Sequence, residues 1–355
     1  MRYVLIGDGE SPHLLKWARA LAVWPGIELF AASSRGFMPE FDGFIPPGRR
    51  LALNTRPRVA GGNVALLRQL PRLAHWLRGV NADWLHAHYL TSHGTLAWLA
   101  QRLLGVRGRL VGSAWGSDIL VTPQRSAAVR WVTRRVLRHC TFATSDSQVM
   151  AQRMRELGAR DVMVFPFGLE AMPPAPGAKE PGLFFANRGL EQIYAPQRVL
   201  TLFAEIARTW PEARLVVAND GSLRSELEAL ARRLGIDARV SFVGRLDAIT
   251  QAQHYARAQW YLSLPTSDSV AVSVLEAMAH GCIPILSDLP ANQELVRSGD
   301  NGCIVPPQTG LDITVLESLR QRAADIARSN RDWVQAHALF PPAVQRFMQQ
   351  LHARS

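Results

Sequence analysis

At 355 residues the chain exceeds what a single hydrophobic core usually supports, so two domains are the default expectation. With 48% hydrophobic and 19% charged residues it can bury sizeable cores, which excludes a disordered chain. No apolar run approaches a membrane span, and the run in the opening MRYVLIGDGE is too short for a secretion signal, so a cytoplasmic protein is expected.

The net charge of +11 sits in one half: residues 1–172 hold 22 Lys and Arg against 11 Asp and Glu, whereas residues 173–355 hold 18 of each. A basic half suits nucleic acid, an anionic membrane surface or an anionic substrate. No nucleic-acid-binding motif accompanies the charge, so a nucleic-acid partner is not expected. Cys140, Cys282 and Cys303 are odd in number and widely spaced, which fits reduced thiols better than a disulfide framework or a metal site.

In chain order, YVLIG reads as a first strand, after which Ser11 is placed to cap a helix with Pro12 at its first position. Strands follow at IELFAAS, DWLHAH, RLVGSAW, TFATS and DVMVFP, with helical patterns between them, so residues 1–172 form a βαβ series and a parallel sheet. The proline-rich stretch 173–181 reads as an interdomain linker. The alternation restarts over 182–330 with strands at GLFFA, RLVVA, RVSFVG, WYLSLP and CIPILS, and a helical tail spans 331–355. Two doubly wound domains are the expected architecture.

Such folds bind ligands beyond the carboxyl ends of their strands. The stretch SDSVAVSVLEAMAHG lies there, after WYLSLP, and places Asp268 eight residues before Glu276 across an almost uncharged run. Ser269 to Ala279 is apolar nearly all round, which predicts a buried helix with Gly281 as its left-handed cap. Glu276 inside it needs a partner or a ligand, because an unpaired buried carboxylate is costly. An N-cap Asp and a salt-bridged Glu would satisfy the same spacing.

The segment LSLPTSDSVAVSVLEAMAHGCIPILSDLPANQELV resembles the signature of family 4 retaining glycosyltransferases, and VVANDGSLRSELEALARRLGIDARVSFVGRL, ADWLHAHY and VGSAWGSDIL resemble further blocks of that family. The resemblance implies a GT-B fold, two Rossmann-like domains facing across a cleft, with the C-terminal helix returning to the N-terminal domain. It implies that Glu276 holds the ribose of a nucleotide and that Asp268, where Glu is usual, lies beside the transferred sugar. Ser269 and Val270, in a loop usually rich in glycine, and Leu275 would line the nucleotide. Arg188 would face the diphosphate, with Gly244 and Arg245 offering a second cation. The Lys that usually accompanies the Arg has no counterpart, since Gln192 and Tyr194 occupy its region.

In the first domain, Gly7, Gly9 and His13 are expected on the loop and first turn after the first strand, near donor phosphate or acceptor. Trp115 stands where many relatives have His, and Asp118 is a candidate for holding the acceptor, or alternatively a cap of the following segment. His86, His88 and His93 have ligand-like spacing without acidic or Cys partners, so no metal is expected.

The implied chemistry is metal-independent sugar transfer from a nucleotide sugar to a glycan or lipid-linked acceptor, with retention and without a protein nucleophile, in synthesis of bacterial cell-surface glycans. No cofactor is expected beyond the nucleotide-sugar substrate. A sugar-nucleotide epimerase of the same fold, or a catalytically silent binding protein, remains an alternative. Arg130, Trp131, Arg134, Arg135 and Arg138 share one face of AAVRWVTRRVLRH, an arrangement that suits either anionic lipid or plain solvent.

Overall fold

The computed structural model describes residues 1–55, 64–307 and 312–354. The chain divides into two units, Met1–Phe165 with Pro341–Ser355, and Pro166–Phe340. The division falls at Pro166, ahead of the proline-rich stretch, and residues 173–181 belong to the second unit. They are tied there by Arg331, which donates to the carbonyls of Pro173 (3.2 Å) and Pro174 (3.4 Å), and by Lys179, which donates to the carbonyl of Tyr255 (2.8 Å). The helix Ala323–His337 also stays with the second unit, so only the last helix departs from it.

The first unit is a seven-stranded parallel sheet of β1 (Arg2–Gly9), β2 (Glu28–Phe37), β3 (Arg50–Ala52), β4 (Trp84–His88), β5 (Arg109–Ser113), β6 (Phe142–Ser145) and β7 (Val162–Val164), in the order β3-β2-β1-β4-β5-β6-β7. β3 was not legible in sequence, since three residues carry no periodicity and exist as a strand only through pairing with β2. Ser11 caps the helix Pro12–Ala22 as expected, its hydroxyl accepting from the His13 amide.

The last helix, Phe340–His352, lays Val344, Phe347, Met348 and Leu351 along one stripe, a spacing that suits helical periodicity, and all four are buried. Phe347 meets the rings of Trp17, Phe142 and His86 at 4.9, 5.4 and 5.5 Å between centroids. Removing a ring so enclosed would cost about 3 to 5 kcal/mol. The C-terminal segment is therefore an integral part of the first unit's core.

The second unit is a six-stranded parallel sheet of β8 (Glu180–Ala186), β9 (Arg214–Ala218), β10 (Val240–Gly244), β11 (Ala258–Ser263), β12 (Ile283–Ser287) and β13 (Cys303–Val305), in the order β10-β9-β8-β11-β12-β13. In both sheets the strand order reverses direction beside the first strand, between β1 and β4 and between β8 and β11, which is where doubly wound folds open a crevice. Cys140, Cys282 and Cys303 are buried free thiols. Among the described residues no helix is long and apolar enough to cross a membrane.

Candidate functional site

The carboxyl ends of β8 and β11 bring Arg188 and Asp268 together. Arg188 Nη2 donates to Asp268 Oδ2 at 2.5 Å, Nη1 donates to Ser273 Oγ at 3.2 Å, and the guanidinium lies 4.5 Å over the Tyr194 ring. Arg188 Nε is a buried donor with no hydrogen-bond partner, an arrangement that favours an incoming anion. Burial works against the Arg188 charge, but Asp268 and the hydroxyls of Tyr261, Tyr194 and Tyr255 more than restore it. For Asp268 burial prevails over Arg188 and the Ser269 amide, and its carboxyl lies above the usual carboxylate range.

The loop bearing Arg188 is held by its neighbour after β9. Leu190 N–H donates to the carbonyl of Asp220, Leu223 N–H returns to the carbonyl of Leu190, and Glu191 accepts from Ser222 N and Oγ at 2.9 and 2.6 Å. A Cβ on Gly221 would stand 2.4 Å from the Leu190 carbonyl oxygen, so this approach requires glycine.

The helix following β11 spans Val272–Ala279, so it starts later than the apolar run suggested. Its N-cap is Ala271, which has no side chain to accept from the first-turn amides, and Gly281 at φ 78° turns the chain out of it. Asp268 consequently is not the N-cap; it sits in the preceding turn and accepts from the Ser269 amide at 3.0 Å. That contact engages the Ser269 donor expected to serve a phosphate, and Ser269 and Val270 are buried. Leu275 lies wholly within the hydrophobic core of this unit, so it packs the helix rather than lining a ligand.

Glu276 projects from the same helix. Its Oε2 accepts from Tyr255 Oη at 3.0 Å and from Gln251 Nε2 at 3.4 Å. Gly244 ends β10 at φ 73°, where its carbonyl accepts from the Asn219 amide at 2.6 Å. Arg245 follows it, exposed at the end of this edge strand and two strands removed from β8.

Sequence reasoning missed Asn187, Tyr255, Tyr261 and Ser273. For Asn187 and Tyr261 the available signal was polar atoms at apolar strand ends, in FFAN and WYLS, which burial would oblige to pair; Tyr255 and Ser273 lie on helices and carried no such signal.

The first unit gathers different side chains at its switch point. β1 runs through Gly9, so Gly7 and Gly9 lie inside the strand and not on a following loop. Gly9 N–H donates to Ser33 Oγ at 2.8 Å, and a Cβ there would clash with the Gly36 carbonyl; Gly7 makes room for Leu14. Both glycines serve close packing.

His13, on the first helical turn, lies against Trp115 at 4.4 Å with the rings tilted by 35°, and Tyr89 stands 6.0 Å from the same ring with a left-handed φ of 62°. Trp115 Nε1–H donates to His88 Nδ1 at 3.2 Å. His86 is a structural histidine, bonded to Tyr3 Oη at 2.9 Å and Ser113 Oγ at 2.6 Å. Burial lowers His86 to about 3 and His93 to about 4, and pushes His88 well down with help from the neighbouring histidines.

Asp118 is 1% exposed, and its two oxygens accept from the amides of Leu90 (2.8 Å) and Trp115 (2.9 Å). It therefore ties together the segments after β4 and β5 with both oxygens engaged, and it does not cap the following helix Ser117–Leu120, which has no side-chain cap. Burial, opposed by those amides, raises it to about 6.

Over 99% of this chain and 100% of the other, the fold superposes on Anabaena HepE in complex with UDP with a TM-score of 0.78 at 15% identity, the two-domain α/β GT-B architecture. Residues 154–327 match the family model of glycosyl transferases group 1, and residues 9–168 match that of a glycosyl transferase 4-like domain. The chain belongs to this glycosyltransferase family.

Among curated relatives, N-acetyl-alpha-D-glucosaminyl L-malate synthase of Bacillus anthracis is 26% identical over 264 residues, 70% of this chain and 68% of the relative. Phosphatidyl-myo-inositol mannosyltransferase of Mycobacterium tuberculosis is 26% identical over 319 residues, 85% of this chain and 79% of the relative.

Proposed function

We propose that this glycosyltransferase moves a sugar, with retention, from a nucleoside diphosphate sugar to a glycan or lipid-linked acceptor in cell-envelope synthesis. The observation that carries the reading is Arg188, a buried cation at the β8/β11 switch point with an unpartnered Nε donor, beside a helix whose first turn no side chain caps. As the diphosphate leaves, negative charge grows on the bridging oxygen. Arg188 and the positive end of the helix Val272–Ala279 oppose it with donors already in place, which is how electrostatic catalysis lowers a barrier. The acceptor hydroxyl attacks on the face the leaving group vacates and passes its proton to the diphosphate, so no side-chain nucleophile takes part. Asp268 stands beside the transferred sugar and Glu276 holds the ribose. Arg245, exposed at the end of β10, supplies a weaker second cation.

In the first unit, His13, Tyr89 and Trp115 form an aromatic ledge that suits the apolar face of a sugar ring. Arg130, Trp131, Arg134, Arg135 and Arg138 are all exposed on the helix Ala127–His139. Trp98 packs edge-on to Trp131 at 6.5 Å, and Leu103 is 68% exposed on the adjoining helix Thr95–Leu104. A surface of exposed arginines with interleaved tryptophan and leucine suits an anionic lipid headgroup layer, which would place the enzyme peripherally on the inner face of the plasma membrane, beside a lipid-linked acceptor.

A melting-shift screen with UDP, GDP and ADP sugars, followed by turnover with lipid-linked glycans, tests this reading. One donor family should raise the melting temperature and yield a glycosylated lipid. The absence of a shift with any of the three, at millimolar ligand, would contradict the nucleotide site.

A further inference from the structure

A run of hydrogen bonds leads through Asn187 to Glu276, which shares its helix with Ser273, whose Oγ accepts from Arg188 Nη1 (3.2 Å). Tyr261 Oη reaches Asn187 Oδ1 (2.7 Å), Asn187 Nδ2 reaches Tyr255 Oη (2.8 Å), and Tyr255 Oη reaches Glu276 Oε2 (3.0 Å).

The carboxylate end sets the direction. A carboxylate only accepts, so the Tyr255 hydroxyl takes a hydrogen bond from Asn187 and turns its own proton toward Glu276 Oε2 (3.0 Å), with the Ser273 carbonyl a second acceptor at 3.2 Å. Asn187 is the decisive link, because its amide has two orientations. With Oδ1 toward Tyr261 and Nδ2 toward Tyr255, the amide fills the acceptor position of Tyr255 and leaves the Tyr255 proton for Glu276. With the amide reversed, Tyr255 would have to donate to Asn187, and Glu276 would lose the Tyr255 hydrogen bond. Both tyrosines are fully buried, and burial first of all keeps their hydroxyls neutral and able to donate.

We infer that Asn187, with Tyr255 and Tyr261, is a positioning device that fixes the Glu276 carboxylate for a ribose diol. None of the three needs to touch the nucleotide. The inference rests on the proposed ribose role of Glu276, and the test separates the two.

Affinities of UDP, GDP and ADP and of their 2′,3′-dideoxy analogues are measured by calorimetry for the parent and for Glu276→Gln, Tyr255→Phe, Tyr261→Phe and Asn187→Leu. The parent should prefer the ribose form of its nucleotide. Tyr255→Phe should reduce that preference about tenfold, the scale of one hydrogen bond to a charged group, by weakening the ribose form and leaving the dideoxy form unchanged. Tyr261→Phe, one link further away, should reduce it in the same sense by about threefold.

A merely structural role would lower both affinities together, and an unchanged ratio in Tyr255→Phe and Tyr261→Phe would overturn the inference. If Glu276→Gln itself leaves the ratio unchanged, the ribose role fails and the inference with it. If Glu276→Gln abolishes the preference while Tyr255→Phe keeps it, only the positioning device is wrong. The tyrosine variants delete one oxygen each, so the test stands even if Asn187→Leu does not fold.

Discussion

The two sheets reverse strand order at equivalent places, yet their carboxyl ends carry opposite chemistry. At β8 and β11 the second unit holds a cation, two carboxylates and a donor-ordered run of hydroxyls and amide. At β1, β4 and β5 the first unit holds imidazoles kept neutral by burial, an indole and a carboxylate satisfied by backbone amides. Net charge runs the other way: the half containing the neutral switch point has all the excess positive charge, displayed on its outer helices. Charge on a surface and charge at a site are thus separate matters. The first is a long-range field over solvent-facing arginines, and the second is one guanidinium whose effect depends on burial and on an open donor.

The sharpest test of this contrast is acid. An unfolded histidine takes a proton below about pH 6.5, whereas His86 and His93 resist until about 3 and 4, and His88 also lies well below its ordinary value. The unfolded state therefore binds more protons in that window, and stability falls as pH drops through it, by about 2 kcal/mol at pH 5 for each of His86 and His93. Asp118, raised to about 6, acts in the opposite sense and returns about 1 kcal/mol at the same pH. Urea unfolding at pH 7 and pH 5, read by proteolytic fragments assigned to each unit, should show the first unit failing first at pH 5. Equal loss in both units would break the comparison.

Arg188→Ala addresses the other switch point. Turnover should fall by about 100- to 1,000-fold, beyond any change in nucleotide affinity, because the cation acts on charge that develops only in the transition state. If the Michaelis constant alone rises, Arg188 is a plain binding contact.

The smallest effect is expected at the outer helix. Replacing Arg130, Arg134 and Arg138 by Gln should weaken cosedimentation with anionic vesicles, each charge contributing about 1 kcal/mol at low salt, and should leave nucleotide affinity intact. Equal vesicle binding by the variant would return this face to ordinary solvated surface.

Sequence by itself determined the alternation of strands and helices, the Ser11 cap, the glycine turn at 281 and the membership of the family, because these rest on local periodicity and short-range chemistry. It also marked Arg188, Asp268 and Glu276, whose types and spacing carry the resemblance. Tertiary structure alone decided which polar groups are engaged. Asp118 became a tie between two segments because folding placed the amides of Leu90 and Trp115 on its two oxygens, and Ser269 lost its amide to Asp268. Likewise β3 exists only beside β2, and Asn187 meets Tyr261 because β8 and β11 are neighbours in the sheet and Tyr255 because the helix Ala248–Arg257 packs against β8. Hydrogen bonds between residues 68 and 74 positions apart leave no trace in a periodicity. Burial makes them obligatory, and burial is a property of the folded chain.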